Sequence, residues 1–459
     1  MTDTTDSGTD RAGNDTAGND MAGDDLIDEI RTWLEENWDP DLTVAQWWEL
    51  LGLAGWSAPN LPKDSYGRGL SRSDGVRVAR EIGSFGALGA PSGLGLLLAA
   101  PTIAKHGTQE QVDLYVRDIV TGQKAWCQLF SEPGAGSDLA GLTCKAELDG
   151  DEWIINGQKV WTSLGQSADL GMLLARTNPE APKHAGISWM AIDMHQDGVE
   201  LRPLYEMTGH AMFNEVFLSD ARVPTANVIG ELNNGWAAAN TTLANERAGL
   251  GAGGGGAQAT AVPGTVAGNL ERRAGDFVRK KPKKSATGGD SGGGAETRKK
   301  RQSSAQLHID LARGNGRIDD PTIRQDLMRL HTIGEIGRMS AERVKAAKAN
   351  GKDIPGMPNI SKLSMSDMVR LQRDLGLRIV GPSGMLHAYS DEDRAAIDDA
   401  TGNPFLAMVT GAALYAQAPP IYGGTDQIQR NIIGERVLGL PKEPGDLNKV
   451  PFSELPKNA

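Results

Sequence analysis

Apolar residues recur at helical spacing along the first part of the chain. The first apolar face is formed by residues spaced i, i+4, i+7 and i+8, namely Leu26, Ile30, Trp33 and Leu34. Three further segments have the same periodicity: 44–53, 71–82 and 109–119. Turns rich in Gly and Pro, such as 59–62, separate them. The pattern predicts a helical N-terminal domain over residues 26–124.

The pattern changes from helical to alternating near residue 125. Short runs rich in β-branched and aromatic residues follow at 153–155, 186–192 and 215–218. Dipeptides that end in Gly, at 149–150, 156–157 and 197–198, are typical of turns between antiparallel strands. We therefore predict a middle antiparallel β domain over residues 125–234.

Helical periodicity returns after Gly235 and continues to about Leu438. It predicts a C-terminal helical domain over residues 235–445, similar to a four-helix bundle, and a tail at 446–459. The fold class expected from the whole pattern is α+β, with one β domain between two helical domains in the sequence.

Two stretches lack a periodic apolar pattern. Residues 1–25 hold a loose AGND repeat with seven acids and one arginine, a composition typical of a disordered tail. An insertion is predicted at about 249–305, since 14 glycines lie within 249–301 and nine Lys/Arg against two acids within 279–301. We favour a flexible surface segment, and contact of its basic runs with nucleic acid is the alternative.

Composition narrows the class of protein further. The chain has 459 residues, a net charge of −12 and 58 glycines without a G-X-Y period, which excludes collagen and argues against a dedicated nucleic-acid binder. Its two cysteines, Cys127 and Cys144, have no metal-ligand spacing and fit a reducing compartment. The first 25 residues contain no apolar run, and the most apolar window, 94–100, is too short to span a bilayer. We expect a cytoplasmic protein without a membrane span.

Two short segments are candidates for binding a cofactor. In EPGAGSD at 132–138, the glycines allow backbone N–H groups to approach a phosphate closely, and Ser137 adds a hydroxyl donor. No Gly-Lys-Ser/Thr follows, so the segment is not a Walker loop. NGQKVWTS at 156–163 ends in an indole and two hydroxyls, which are suited to flank a flat heteroaromatic ring.

Together with further segments, these motifs resemble the acyl-CoA dehydrogenase family along nearly the whole chain. The further segments are AGW at 54–56, YGRG at 66–69, FNEV at 213–216, RVP at 222–224 and IYGGTDQIQR at 421–430. The resemblance implies FAD, dehydrogenation of an acyl-CoA thioester to the trans-2-enoyl-CoA, and an electron-transferring flavoprotein as acceptor. An oxidase that passes electrons to oxygen stays open. The ending IIGERVLGLPKEP is similar to bacterial members that oxidise fatty acids or sterol side chains.

The resemblance also assigns site residues. Those expected to contact FAD are Gln128, Phe130 and Ser131 at the flavin edge, Ser137 near a phosphate, Trp161, Thr162 and Ser163 beside the ring, and Arg272 and Thr425. Those expected to contact the acyl-CoA substrate are Ser137, Arg247, Tyr422 and Gly423.

The usual catalytic carboxylate of this family is missing. Most members carry a Glu in Tyr-Glu-Gly-Thr, and the matching position here is Gly423, which keeps a backbone N–H for the thioester oxygen but cannot abstract a proton. A minority place the base on the helix that opens the third domain, where this chain has Glu246 followed by Arg247. The resemblance therefore implies Glu246 as general base, and an ordinary helix glutamate paired with an arginine is the alternative.

The segments that hold the far end of FAD in homotetrameric relatives are altered. An Arg-x-x-Phe-Gly element corresponds at best to 271–275, which keeps Arg272 and loses the aromatic residue. A Gln-x-x-Gly-Gly-x-Gly element is RIVGPSG at 378–384, where Pro382 removes a backbone donor. We expect a homotetramer, or a heterotetramer in which a second acyl-CoA dehydrogenase-like chain completes the FAD site. A non-catalytic partner subunit and a nucleic-acid-associated member of the same fold are the alternatives.

Overall fold

The described residues fall into two units whose segments alternate along the sequence. The computed structural model describes residues 23–251, 261–278, 303–442 and 449–456. Residues 23–92, 112–123 and 261–278 form the first unit; residues 93–111, 124–251, 303–442 and 449–456 form the second. Most of the predicted 1–25 tail lies outside the described residues, and the first helix begins at Gly23.

Helices occupy both ends of the sequence and strands its middle. The α-helices are α1 (Gly23–Asn37), α2 (Val44–Leu53), α3 (Arg72–Phe85), α4 (Ala100–His106), α5 (Gln109–Gln111), α6 (Arg117–Val120), α7 (Gly235–Gly251), α8 (Ser304–Gly314), α9 (Pro321–Ala349), α10 (Met357–Val380), α11 (Asp391–Thr401), α12 (Leu406–Tyr415) and α13 (Asp426–Ile432). The strands are β1 (Trp126–Leu129), β2 (Lys145–Asp149), β3 (Glu152–Ser163), β4 (Leu170–Arg176), β5 (Ile187–Asp193), β6 (Val199–Leu204), β7 (Phe213–Pro224) and β8 (Val228–Ile229). The order helices, strands, helices confirms the predicted fold class.

Two adjacent tryptophans lie at the centre of the first unit. Trp47 and Trp48 of α2 are fully buried, and their indole N–H groups donate to the carbonyls of Leu88 (2.7 Å) and Gly89 (2.8 Å). Thr43 begins the helix with a capping box, because its hydroxyl accepts from the N–H of Gln46 while that side chain accepts in return. The apolar face predicted from Leu26 onwards packs into the same core.

Residues 261–278 also belong to this core, although they lie within the predicted insertion. Ala261 and Ala274 are fully buried, and the carbonyls of Leu270 and Arg272 accept from the first N–H groups of α2, at 2.9 and 2.8 Å. These donors have no partner within a helix, so they are free to bind the returning chain. The flexible-insertion prediction is therefore wrong for 261–278. Residues 252–260 and 279–302, with the basic runs, lie outside the described residues.

A single mixed sheet forms the middle of the second unit. Its strand order is β6-β7-β3-β2-β4-β5-β8, and β1 pairs with β4. Most pairs are antiparallel, but β1 runs parallel to β4, which corrects the purely antiparallel prediction. Parallel neighbours need a long connection, which the β2–β3 hairpin and its flanks provide here. The turns predicted at 149–150 and 197–198 are confirmed.

The turn predicted at Asn156-Gly157 is wrong, because both residues lie inside β3. The pairing with β7 shifts register between Ile155 and Gly157. A Cβ at Gly157 would come within 2.7 Å of the Cα and Cβ atoms of Cys144, the residue that directly precedes β2. The glycine therefore permits a close approach of two backbones rather than a reversal of direction.

Helices α8, α9, α10 and α12 pack around a separate apolar cluster in the second unit, which includes Leu311, Leu330 and Leu375. In the predicted tail, residues 449–456 are ordered against the loop that follows β4, where the N–H of Phe452 donates to the carbonyl of Ala181 at 3.0 Å. Within the described ranges, every helix is too short or too polar to cross a bilayer.

Gly122 and Gly69 allow a direct test of packing in the first unit. Their φ angles are +67° and +66°, so a Cβ is strained equally at both, by about 1–2 kcal/mol. At Gly122 it would also meet Trp48 Cε3 at 2.3 Å, whereas at Gly69 nothing lies within 4 Å. We expect Gly122→Ala to lower the free energy of unfolding by about 1–3 kcal/mol more than Gly69→Ala. Denaturant unfolding measures both, and equal losses would contradict this packing.

Candidate active site

The EPGAGSD segment forms a tight turn directly after β1. Glu132 and Ala135 exchange two backbone hydrogen bonds of 3.1 Å, which fold the segment back on itself. Gly134, Gly136 and Ser137 are exposed, and a Cβ built on either glycine meets no atom within 4 Å. The backbone of the turn therefore faces open space, which a phosphate held by N–H groups requires.

A buried ion pair fixes this turn to β3. The Nζ atom of Lys159, a fully buried residue, lies 2.9 Å from Glu132 Oε1 and donates to the carbonyl of Phe130 at 3.1 Å. The carboxylate of Glu132 accepts three more hydrogen bonds, from the N–H of Thr143 (2.7 Å), its hydroxyl (2.8 Å) and the N–H of Cys144 (2.9 Å). One side chain thus holds the turn, β3 and the start of β2 together.

These contacts keep Glu132 ionised. Burial acts to raise the pKa of Glu132, but the Lys159 charge and the Thr143 and Cys144 donors outweigh it, so the pKa lies below its usual value. Our sequence reasoning missed this pair. The sequence did hold a signal for it. Lys159 lies an even number of residues from Trp153 and Ile155, so it shares their inward face of β3, and a lysine there needs a buried acid.

The predicted ring-flanking residues lie at the end of β3. Trp161 has φ +61° at a register shift and is 60% exposed. Its ring lies edge-on to that of Phe213, with the two ring centroids 5.8 Å apart. Thr162 is fully buried, and its hydroxyl has no hydrogen-bond partner among the described residues. Ser163 is half-buried, and the carbonyl of Ser131 accepts from the backbone of β3, which places the two motifs side by side.

Buried hydroxyl groups position the helix that carries Glu246. On α7, one turn before Glu246, the Thr242 hydroxyl lies 2.9 Å from that of Thr102 and accepts from Trp189 Nε1 at 3.3 Å. Glu246 itself is half-buried, and its Oε2 accepts from the amide of Gln128 on β1 at 3.4 Å. The structure therefore brings the predicted base next to a residue predicted at the flavin edge.

The environment of Glu246 is opposite to that of Glu132. Burial raises the pKa of Glu246, and the Gln128 amide and the Arg247 charge offset this only in part. Arg247 is exposed. A carboxyl group whose pKa is raised towards the working pH is suited to exchange a proton with a substrate.

The loop at the family's usual base position has a backbone that favours glycine. Gly423 and Gly424 have φ of +63° and +82°. Gln429 Nε2 donates to both of their carbonyls, at 2.9 and 3.4 Å. The hydroxyl of Tyr422 lies 2.8 Å from that of Tyr415, and burial raises the pKa of Tyr422.

The same loop is fastened to α10 by Asp426, a residue that sequence reasoning missed. Its buried carboxylate accepts from Lys362 Nζ (2.9 Å), Ser366 Oγ (2.8 Å) and Arg370 (2.7 Å). Thr425, predicted to contact FAD, uses its hydroxyl to cap α13. The long-range donors on α10 left no local pattern in the sequence.

Arg272 belongs to the first unit, whereas the other predicted site residues belong to the second. Its guanidinium lies over the ring of Phe277, 4.4 Å from the centroid, and its carbonyl accepts from Val44. Its expected contact with FAD stays a prediction.

Three family models match successive parts of the chain. Family models for the N-terminal, middle and C-terminal domains of acyl-CoA dehydrogenases match residues 17–123, 127–221 and 301–438. The chain belongs to the acyl-CoA dehydrogenase family. The EPGAGSD and NGQKVWTS segments, Gln128 and Gly423 thus lie within matched domains, whereas Glu246 on α7 and residues 261–278 fall between the middle and C-terminal matches.

Relatives in mycobacteria share most of the chain. Acyl-CoA dehydrogenase IpdE1 of Mycobacterium tuberculosis is 34% identical over 86% of this chain and 88% of the relative. FadE34 of the same organism is 38% identical over 84% of this chain and 45% of the relative. Among solved structures, the Tcur3481-Tcur3483 steroid ACAD is 26% identical, with a TM-score of 0.63 over 92% of this chain and 98% of that chain. The ChsE4-ChsE5 complex from M. tuberculosis is 25% identical, with a TM-score of 0.59 over 92% and 98%.

Membership of the family implies FAD, and the site residues fit that cofactor. The exposed indole of Trp161 offers a flat wall, and the Thr162 hydroxyl is a buried donor without a partner among the described residues. The open backbone at Gly134 and Gly136 is suited to a phosphate. These features supply what a flavin ring and its pyrophosphate need from the protein.

We expect Lys159→Met to lower the free energy of unfolding by about 3–5 kcal/mol, because it leaves the Glu132 carboxylate buried without its cation. Lys145→Met is the matched control, because Lys145 and Glu147 form an exposed pair within β2, the strand next to β3, and its loss should cost less than about 1 kcal/mol. Denaturant unfolding compares them. Similar losses in both variants would show that the buried pair is not a key contact.

The same pair predicts a pH dependence of stability. Because the pKa of Glu132 is lowered in the folded protein, its contribution is fully present above the unfolded value, about 4.3, and is lost as the pH falls through the folded value. A series of unfolding curves from pH 7 downwards should show a smaller acid-induced loss in the Glu132→Gln/Lys159→Met double variant. An unchanged slope would contradict the assignment.

Proposed function

We propose that this chain catalyses FAD-dependent α,β-dehydrogenation of an acyl-CoA thioester, with Glu246 as general base. The contact between Glu246 and Gln128 carries the proposal. Through it, a half-buried carboxyl of raised pKa lies beside β1, the strand that leads into the EPGAGSD turn. Gly423 has no side chain that could take a proton, and the described loop around it is set for glycine. The family membership supports the reaction class.

Glu246, Gln128 and Gly423 have different roles in the proposed reaction. Glu246 takes the α-proton of the thioester, and Gln128 steadies the carboxylate by donating to Oε2. The N–H of Gly423 donates to the thioester oxygen and so stabilises the negative charge that develops there. Bound FAD supplies the acceptor for the β-hydrogen, which leaves as hydride, and the product is the trans-2-enoyl-CoA.

Contacts with the rest of the substrate and with the electron acceptor complete the proposal. Ser137 in the open turn, Arg247 and Tyr422 hold the acyl-CoA, and an electron-transferring flavoprotein reoxidises the cofactor. We propose an acyl group from fatty-acid or sterol side-chain oxidation. The steroid acyl-CoA dehydrogenase among the similar structures favours the second source.

Glu246→Gln should abolish flavin reduction by acyl-CoA while leaving flavin content unchanged, because the amide cannot accept the proton. Glu231→Gln is the matched control, as Glu231 is an exposed carboxylate of the same unit. Stopped-flow absorbance of the flavin measures both variants. Full reduction in Glu246→Gln would contradict the assignment and favour the non-catalytic partner subunit or a different base.

The raised pKa of Glu246 also predicts a pH profile. The base must be ionised, so kcat/KM should rise with pH through a value above the ordinary glutamate pKa of about 4.3 and then level off. Initial rates from pH 4.5 to 8 test this. A profile already flat at its low end would contradict a buried base.

We also propose that the chain forms one part of a heteromeric dehydrogenase. Arg378, which stands where homotetrameric relatives use a Gln amide for FAD, pairs with Asp326 and donates to the Thr322 hydroxyl at 2.6 Å. Its guanidinium is thereby engaged within its own chain. Two of the similar structures are named for two chains each, Tcur3481-Tcur3483 and ChsE4-ChsE5.

Expression of this chain alone should yield protein with less than one FAD per chain and little activity, both restored when the partner chain is expressed with it. Flavin absorbance per chain, size-exclusion chromatography with light scattering, and an acyl-CoA panel measure the three quantities. A fully loaded, active homotetramer would contradict the pairing.

Gel-shift titration with DNA at low and high salt tests the nucleic-acid alternative, which depends on residues 279–301, outside the described ranges.

A further inference from the structure

The C-terminal residues 449–456, which we call the clasp, return to the β-sheet of the second unit. The N–H of Phe452 donates to the carbonyl of Ala181 at 3.0 Å, and that of Ser453 to Pro179 at 2.9 Å. Pro451 forms an isolated bridge with Pro182. The clasp lies beyond the C-terminal family match, which ends at residue 438. Nothing in the proposed chemistry uses it.

Beneath the clasp lies Arg176, the last residue of β4. It is 3% exposed, and it donates to the carbonyls of Ala140 (2.6 Å), Leu142 (3.3 Å) and Lys183 (2.7 Å). Burial lowers the pKa of Arg176 to about 10. A buried cation whose donors end on backbone carbonyls needs further stabilisation from its surroundings.

Phe452 supplies that stabilisation from the clasp. Its ring centroid lies 3.8 Å from Cζ of Arg176, which is the geometry of a cation–π contact. Such contacts are strongest where the cation is removed from water, as it is here. The aromatic ring therefore both covers the guanidinium and offsets part of the burial of its charge.

Two of the carbonyls that Arg176 holds, those of Ala140 and Leu142, belong to the turn that directly follows the EPGAGSD segment. Lys183, in the loop under the clasp, also binds the last residue of that segment, with both oxygens of Asp138 at 2.8 and 2.9 Å. Arg176 and Lys183 thus hold residues 138–142 from two sides. Ser137, the proposed contact of the substrate, immediately precedes them.

We infer that Phe452 is a positioning residue, which holds the 138–142 turn through Arg176 and so fixes Ser137 for binding the CoA part of the substrate. The link to CoA rests on the proposed function. The link between Phe452 and the turn rests on contacts alone. An experiment can therefore separate the two.

Hydrogen exchange of the full-length protein tests the first link. The amides of Gly141 and Leu142 close the turn, donating to Asp138 (2.9 Å) and Leu139 (3.1 Å). Phe452→Ala should speed their exchange about tenfold, within the range that a buried cation–π contact allows. Phe452→Tyr keeps an aromatic face and should restore protection. Phe405→Ala, at a half-exposed phenylalanine of the same unit, should change nothing in the turn.

Coenzyme A binding by the same variants tests the second link. Phe452→Ala should weaken binding about tenfold, with kcat within twofold of the unchanged protein, and Phe452→Tyr should recover it. Unchanged exchange in Phe452→Ala would overturn the whole inference. Faster exchange with unchanged coenzyme A affinity would overturn the role of the turn in substrate binding. If the unchanged protein does not bind coenzyme A, the proposed function fails, while the exchange result still decides the role of Phe452.

Discussion

The candidate active site depends on the ion pair between Lys159 and Glu132. A fully buried ammonium is tolerated only with a partner and further hydrogen bonds, and here a single carboxylate supplies the partner while Phe130 supplies a carbonyl. The other hydrogen bonds of that carboxylate bind the chain where it enters β2. Since β3 ends in the ring-flanking residues and the turn holds the open glycines, this pair sets the distance between the two proposed halves of the cofactor site.

Two carboxyl groups of the same unit are driven to opposite protonation behaviour by their neighbours. Glu132 has a cation and three donors, which lower its pKa despite burial, so it stays charged. Glu246 has one amide at 3.4 Å and the charge of Arg247, which offset burial only in part, so its pKa rises. Only the pKa of the second group is therefore raised above its usual value. A raised pKa on α7 is what the proposed role of Glu246 as general base requires.

The sequence was informative wherever local periodicity determines structure. It predicted α2, α3 and the strands around 153–155, 186–192 and 215–218, and the resemblance predicted that Gln128 and Glu246 belong to one site. It failed where distant contacts decide. Residues 261–278 are ordered because α2 offers free N–H groups, a feature of tertiary packing. Thr162 was expected beside the flavin, but the sequence did not predict that it is buried. Residues three apart in a regular strand face opposite sides, whereas the register shift around Trp161 brings Thr162 to the same side as Lys159.

The backbone at residue 423 favours glycine over the glutamate that most members of the family carry at this position. A φ of +63° is costly for any residue with a Cβ, by about 1–2 kcal/mol. Gln429 secures this conformation by bonding the carbonyls of both glycines, and Asp426 ties the loop to α10 through three donors. Placing a glutamate at 423 would therefore strain the backbone conformation that these hydrogen bonds hold. In the proposed mechanism, proton abstraction then depends on Glu246 of α7, a helix held by hydrogen bonds that include the one between the buried hydroxyls of Thr102 and Thr242.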